Sequence, residues 1–215
     1  MTEASFSPEH FARQDESPDG LFYVEARLLV HIDDGAIEAA RALYGELLPQ
    51  GGAILDLMSS YRSHLPEGAW SRVVGLGMNA VEMRENPQLT EHTVHDLNAE
   101  PRLPYPDATF DGCVVTVSVQ YMTRPVETFR DVGRVLKDGA PFILTYSNRM
   151  FPTKAVRIWL ALDDRQRAQL IATYFDQSGC FGAVRAQDRT PQTGGYTDPL
   201  YGVWAFRRSR EDHEV

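Results

Sequence analysis

AILDLMSSYRSHLP, residues 53–66, is the stretch on which the reading of this chain turns. Ala53, Ile54 and Leu55, resumed by Leu57 after Asp56, follow Gly51 and Gly52. A near-continuous apolar run of that kind is how a strand buried on both faces of a parallel sheet reads. The run stops at Met58, and the residues after it bring serines, a tyrosine and an arginine, so the exit loop offers hydroxyls, backbone N–H groups and one cation. In open α/β sheets ligands bind outside the carboxyl ends of the strands. Taken alone, the bend is equally well a strand-to-loop transition with no ligand.

Working outward, residues 36–48 place Ile37, Ala40, Leu43, Tyr44 and Leu47 at helical spacing, with Asp33 or Asp34 as cap and Pro49, Gly51 and Gly52 as the stop. Downstream, 72–76 (RVVGL) predicts a second buried strand, 80–86 a short helix stopped by Pro87, and 90–94 a third strand. Residues 110–119 (FDGCVVTVSV) predict a long β-branched strand, 126–136 a helix, and 141–146 a fifth strand after the Asp138-Gly139 turn. Strands alternating with helices in this way imply right-handed crossovers and a parallel sheet covered on both faces. Beyond Ser147 the rhythm changes. Residues 150–162 and 163–178 predict helices, and 183–187 and 200–207 predict two strands that pair antiparallel at a sheet edge.

The expected fold is therefore α/β, a Rossmann-like seven-stranded, mostly parallel sheet ending in a C-terminal antiparallel strand pair. One domain spans 21–208, with 21–35 as a cover segment and 149–180 as a helical lid. Residues 1–20 are expected to be a flexible lead-in and 209–215 a tail.

At 215 residues, 43% of them apolar, the chain suits a single globular domain with a substantial core. No apolar run reaches a membrane span, and the polar, acidic start does not read as a signal peptide, so the expectation is a cytoplasmic protein that does not contact membrane. A net charge of −9 argues against a broad phosphate-binding surface, hence against nucleic acid, and favours a small-molecule partner. Cys113 and Cys180 lack metal spacing and read as reduced thiols. His64, His92, His95 and His213 have no partner at ligand spacing, so no metal is expected.

The order of motifs resembles the class I S-adenosylmethionine-dependent methyltransferases, in particular the small-molecule type with an FD-strand followed by an RVLKPGG turn. The counterpart here is FDGCVVTVSVQYMTRPVETFRDVGRVLKDGAPFILTYSN, residues 110–148. The resemblance implies S-adenosylmethionine as cofactor and methyl transfer to an oxygen, nitrogen or sulfur of a small acceptor. The alternative is a repurposed methyltransferase-fold domain, non-catalytic or with altered cofactor binding. A nicotinamide-dependent oxidoreductase fits less well, since no G-x-G-x-x-G follows the first strand.

Carried over residue by residue, the resemblance makes Asp56 the acid that closes the first strand. The family follows it with glycines where this chain has Met58, Ser60 and Arg62, and those glycines let backbone approach the cofactor. Ser59, Ser60 and Ser63 are expected to replace that approach with hydrogen bonds, and Arg62 to meet the cofactor's carboxylate. At the second strand the family's ribose-binding acid is replaced by Gly77. Asn79 is expected to supply one acceptor instead, and Met78 to pack on the adenine. Asp96 and the Leu97 N–H match the adenine contacts, and Ser118 lines the cofactor beyond the fourth strand.

Methyl transfer from a sulfonium is an in-line displacement in which positioning supplies most of the effect and a general base adds typically about 100- to 10,000-fold for a protic acceptor. His31 is the candidate base, because an imidazole suits neutral pH and the segment before the first helix folds over the cofactor in this family. Asp33 is in place to orient it if the chain there is extended. Tyr23 is expected to close over the sulfonium through its ring face. Arg27, Tyr121, Asn148 and Arg149 are candidates for the acceptor, Arg149 through a carboxylate.

Overall fold

The computed structural model describes residues 6–68, 70–192 and 194–209. Seven strands form one sheet in the order β3-β2-β1-β4-β5-β7-β6. The chain enters through a 3-10 turn, Pro8–Phe11, and a one-turn helix α1 (Asp19–Phe22), then α2 (Asp34–Leu47), β1 (Ala53–Leu57), β2 (Arg72–Gly77), α3 (Ala80–Arg84) and β3 (Glu91–Val94). It continues through β4 (Gly112–Thr116), α4 (Pro125–Val135), β5 (Pro141–Tyr146), α5 (Arg157–Leu160), α6 (Asp164–Ser178), β6 (Arg185–Asp188) and β7 (Tyr201–Phe206). β1 to β5 run parallel, and β7 lies antiparallel to both β5 and β6, as the alternation and the terminal pair predict.

The central strands read as solid apolar runs because successive side chains feed opposite layers. Ile54, Val73, Val114 and Ile143 pack with Ala36, Ala40, Leu43 and Tyr44 of α2. Their neighbours Leu55, Val74, Val115 and Leu144 join Phe129 and Val132 of α4 and Leu170, Ile171 and Phe175 of α6. α2 starts where the sequence places it, with the Asp33 carboxylate accepting from the Ala36 N–H at 2.9 Å. β4 is shorter than the β-branched run suggests. Val117 turns to φ 44, a left-handed conformation that β-branched residues rarely adopt, and this ends the strand.

Three expectations change. From Phe6 the lead-in is packed on the domain instead of lying loose: Arg13 Nη1 donates to Asp19 at 2.7 and 2.9 Å, and the fully buried Lys154 pairs with Asp15 and Asp19, both at 3.2 Å. Residues 150–162 make a single helical turn, Arg157–Leu160, in place of a long helix. α6 is not a lid, because its apolar side lies in the core against α4 and β7. The tail expected at 209–215 lies, apart from Ser209, outside the described residues. Among the described residues no helix is long and apolar enough to cross a membrane.

Candidate active site

A cavity of about 270 Å³ opens where β1, β2, β3 and β4 end, roofed by residues from 19 to 31 and by 149–151. The floor comes from strand exits, the roof from the lead-in, so both ends of the sheet's switch point contribute to one space.

The bend after β1 is turned on itself. Asp56 is buried, and its Oδ2 accepts from Ser59 Oγ and Ser63 Oγ, each at 2.6 Å. Burial outweighs those two donors and pushes the Asp56 carboxyl up to about 6. Ser60 Oγ donates to Glu82 Oε2 at 2.6 Å, and Asn86 Nδ2 donates to Ser60 O and Ser63 Oγ, both at 2.9 Å. Arg62 lies on the Tyr61 ring, 3.5 Å from its centroid, and donates to Tyr61 O and Glu85 O. The polar atoms of these three serines and of Arg62 serve the bend itself, and neither Asp56, Arg62 nor Ser63 lines this cavity. Ser59 and Ser60 line it, with their hydroxyls directed to carboxylates of the protein.

Met58, at the first of the family's glycine positions, has φ 59, the left-handed conformation a glycine adopts freely. The backbone of the bend leans on β2 instead: Ser59 N–H donates to Leu76 O at 2.8 Å, and a Cβ on Gly77 would stand 2.1 Å from Ser59 O. The family's acid has no room at Gly77. Asn79 does not replace it. Its Oδ1 caps α3, accepting from the Val81 and Glu82 N–H groups at 2.9 and 3.1 Å, and its Nδ2 donates to Tyr23 O and Val24 O.

Glu82 is the residue that sequence reasoning missed. It is buried on the cavity wall, with Oε1 accepting from the Arg27 N–H at 2.7 Å and Oε2 from Ser60 Oγ. Each oxygen keeps a further lone pair. The signal was present in Asn79-Ala80-Val81-Glu82, a helix cap with an acid three residues on.

Met78, Asp96, Leu97 and Ser118 line the cavity. Asp96 Oδ1 accepts from the Asn98 and Ala99 N–H groups at 2.9 and 3.2 Å, which fixes the turn after β3. Ser118 Oγ is buried and has no hydrogen-bond partner among the described residues.

In the roof, Tyr23, Arg27, His31, Tyr121 and Arg149 all reach the cavity, with Phe151 among them, whereas Asn148 is exposed and outside it. Arg149 Nε holds the buried Asp198 at 2.8 Å. Tyr121 Oη accepts from the Phe151 N–H at 2.8 Å, and burial raises its pKa. Tyr23 is raised well above the usual phenol range, again by burial, so it stays a neutral hydroxyl. A cation already stands by that ring, with the Arg27 guanidinium 5.9 Å from its centroid, which works against a sulfonium at the same face. His31 leaves part of its surface to solvent, yet its ring packs edge-on to Phe151 at 5.4 Å and burial lowers its pKa, which keeps the imidazole neutral. Asp33 does not orient it. That carboxylate is used by α2, by the Asp198 N–H at 2.7 Å and by Thr197 Oγ1 at 3.0 Å.

Residues 59–144 match the family model of the methyltransferase domain. Among solved structures, the [4+2]-cyclase SpnF superposes with a TM-score of 0.60 at 16% identity, over 84% of this chain and 88% of that one. A chain of the complex between the Haloferax volcanii Trm112 methyltransferase activator and a methyltransferase gives 0.59 at 13%, over 82% and 92%. An S-adenosylmethionine-dependent methyltransferase from Aquifex aeolicus gives 0.55 at 14%, over 94% and 100%. No curated protein matches the sequence.

Proposed function

We propose that the chain is a class I S-adenosylmethionine-dependent methyltransferase, a reading supported by the methyltransferase-domain match over residues 59–144 and the shared fold, and that its acceptor is a small molecule held in the roofed cavity. The observation that carries this reading is the enclosure itself. Strand exits form the floor, while a roof pinned by Asp19 to Arg13 and Lys154 covers a space of about 270 Å³.

The residues fit the adenosine half of the cofactor. Met78 presents an apolar side chain, Asp96 and Leu97 face the cavity from the β3 exit, and the unpartnered Ser118 Oγ supplies a hydrogen-bonding atom. Glu82 takes the part of the missing ribose acid from one turn further along, through its spare lone pairs. The methionine half is left to backbone groups of the bend, because its hydroxyls are spoken for. S-adenosylmethionine supplies an electrophilic methyl on a sulfonium. The chain's own residues then align the acceptor, exclude water through the roof, and, at His31, accept a proton when the acceptor carries one.

A second reading, a domain with this sheet but altered use of the cofactor, is favoured by one observation: the bend is closed on Asp56 by its own serines. Calorimetry with S-adenosylmethionine and S-adenosylhomocysteine separates the two. Binding by the folded protein, lost or weakened at least tenfold in Glu82→Gln, supports the first; no heat at millimolar ligand supports the second. Turnover of thiol, phenol, amine and carboxylate panels then identifies the acceptor atom. His31→Gln should lower turnover of a phenol or amine by about 100-fold or more, and a thiol far less. Equal rates in both proteins would remove His31 as base.

A further inference from the structure

Arg27 carries a charge that the fold itself does not neutralise. Its guanidinium carbon stands 4.7 Å from the Phe22 ring centroid and 5.4 Å from that of Phe151. Nη2 donates to Phe22 O at 3.0 Å, and the backbone N–H is fixed on Glu82. Nη1 is buried and has no partner among the described residues. Leaving a buried donor without a partner is costly, and more so when the group is charged. The other cations around the roof are matched: Arg13 and Lys154 by Asp19, and Arg149 by Asp198. Arg27 has rings, one carbonyl and no carboxylate within ion-pair distance among the described residues.

A guanidinium held by aromatic faces, on a residue that lines the cavity and with one buried N–H left unpartnered, has the chemistry of carboxylate recognition, where charge-assisted bonds are roughly twice as strong as neutral ones. The surroundings indicate whose carboxylate it is. The rings that hold Arg27 belong to the roof and to Phe151, which follows β5, and Tyr121 beyond β4 stacks on Phe151 at 6.0 Å. On the proposed function, the methionine end of the cofactor is assigned to the bend after β1.

Resting on the reading of this cavity as the acceptor site, we propose that the acceptor is a small organic acid whose carboxylate is bound by Arg27 Nη1. The apolar remainder of the acid packs against Tyr121 and Phe151.

The test is binding of matched pairs, benzoate with benzamide, 4-hydroxybenzoate with 4-hydroxybenzamide, and indole-3-acetate with its amide. Each is titrated with and without S-adenosylhomocysteine into wild type, Arg27→Gln and Arg27→Lys. Wild type should bind at least one acid ten or more times tighter than its amide. Arg27→Gln should erase that preference, and Arg27→Lys should keep part of it, which rules out a folding defect as the cause. The loss in Arg27→Gln should fall on the acid at least tenfold more than on S-adenosylhomocysteine. No acid preference in any wild-type pair overturns the proposal. So does a loss that falls chiefly on S-adenosylhomocysteine, since the arginine would then hold the cofactor's carboxylate. Absence of S-adenosylhomocysteine binding to wild type, with the acid preference intact, would instead sink the methyltransferase reading and leave Arg27 as an acid-binding residue.

Discussion

The exits of β1 and β2 lie side by side and have exchanged their requirements. At β1, Met58 adopts φ 59 where the methyltransferase pattern this chain resembles has glycine, and at β2, Gly77 stands where that pattern has an acid. The link is steric. The bend's backbone leans on β2 so closely that a Cβ at 77 would meet Ser59 O at 2.1 Å, so freedom from a side chain is needed one strand over. Two departures that look independent in sequence are one packing decision, and Glu82 is the buried carboxylate that ties the bend to the roof, accepting from Ser60 Oγ and the Arg27 N–H.

The strongest way to break this account is Gly77→Asp. Restoring the family's acid should destabilise the protein by about 3 kcal/mol or more, because the obstacle is backbone and not a flexible side chain. Near-wild-type thermal unfolding with tighter cofactor binding would show that the bend yields freely. Asp56→Asn comes next. The Asp56 carboxyl stands at about 6 in the fold against 3.8 ordinarily. With its pKa raised, the native state binds more protons than the unfolded chain between those values. The group's stabilising contribution is therefore full below about pH 4 and lost as pH rises through about 6. Wild type should lose stability relative to Asp56→Asn across that window, by on the order of 3 kcal/mol at most. Parallel curves for the two proteins would mean the bend does not bury a titrating carboxylate.

Asn79→Ala removes the α3 cap and the two bonds to the roof at Tyr23 O and Val24 O, and should cost about 1–2 kcal/mol in denaturant unfolding. It should also weaken cofactor binding through the displaced Glu82. The smallest effect is expected of Met58→Gly. Relief of the left-handed backbone, about 1–2 kcal/mol, is offset by lost packing and by the flexibility of glycine in the unfolded chain, so the net change should stay within about 1 kcal/mol. A large loss would mean that Met58's side chain, not its backbone, sets the bend.

Much of the architecture was legible because it rests on local periodicity. Ile54-Leu55, Val73-Val74 and Phe142-Ile143-Leu144 announce strands covered on both faces, and Asp33 announces the start of α2. Met78, Asp96, Leu97 and Ser118, singled out by their positions after the strands, do line the cavity. The site was not legible where a side chain chooses between ligand and protein. Ser59 and Ser63 read as donors to a ligand, yet a buried carboxylate three and seven residues away claims them, since leaving Asp56 unpaired would cost more than either hydroxyl gains elsewhere. The lead-in escaped for a different reason. Its polar composition resembles a loose terminus, and the partner that orders it, Lys154, lies 139 residues from Asp15.

That separation bears on how the molecule assembles. Contacts between positions so far apart must wait for the intervening chain, and they carry the closure entropy that slows folding. Residues 13–19 can dock only on a chain that already includes β5 and the 154 region. Closure of the cavity thus depends on a contact of long sequence separation.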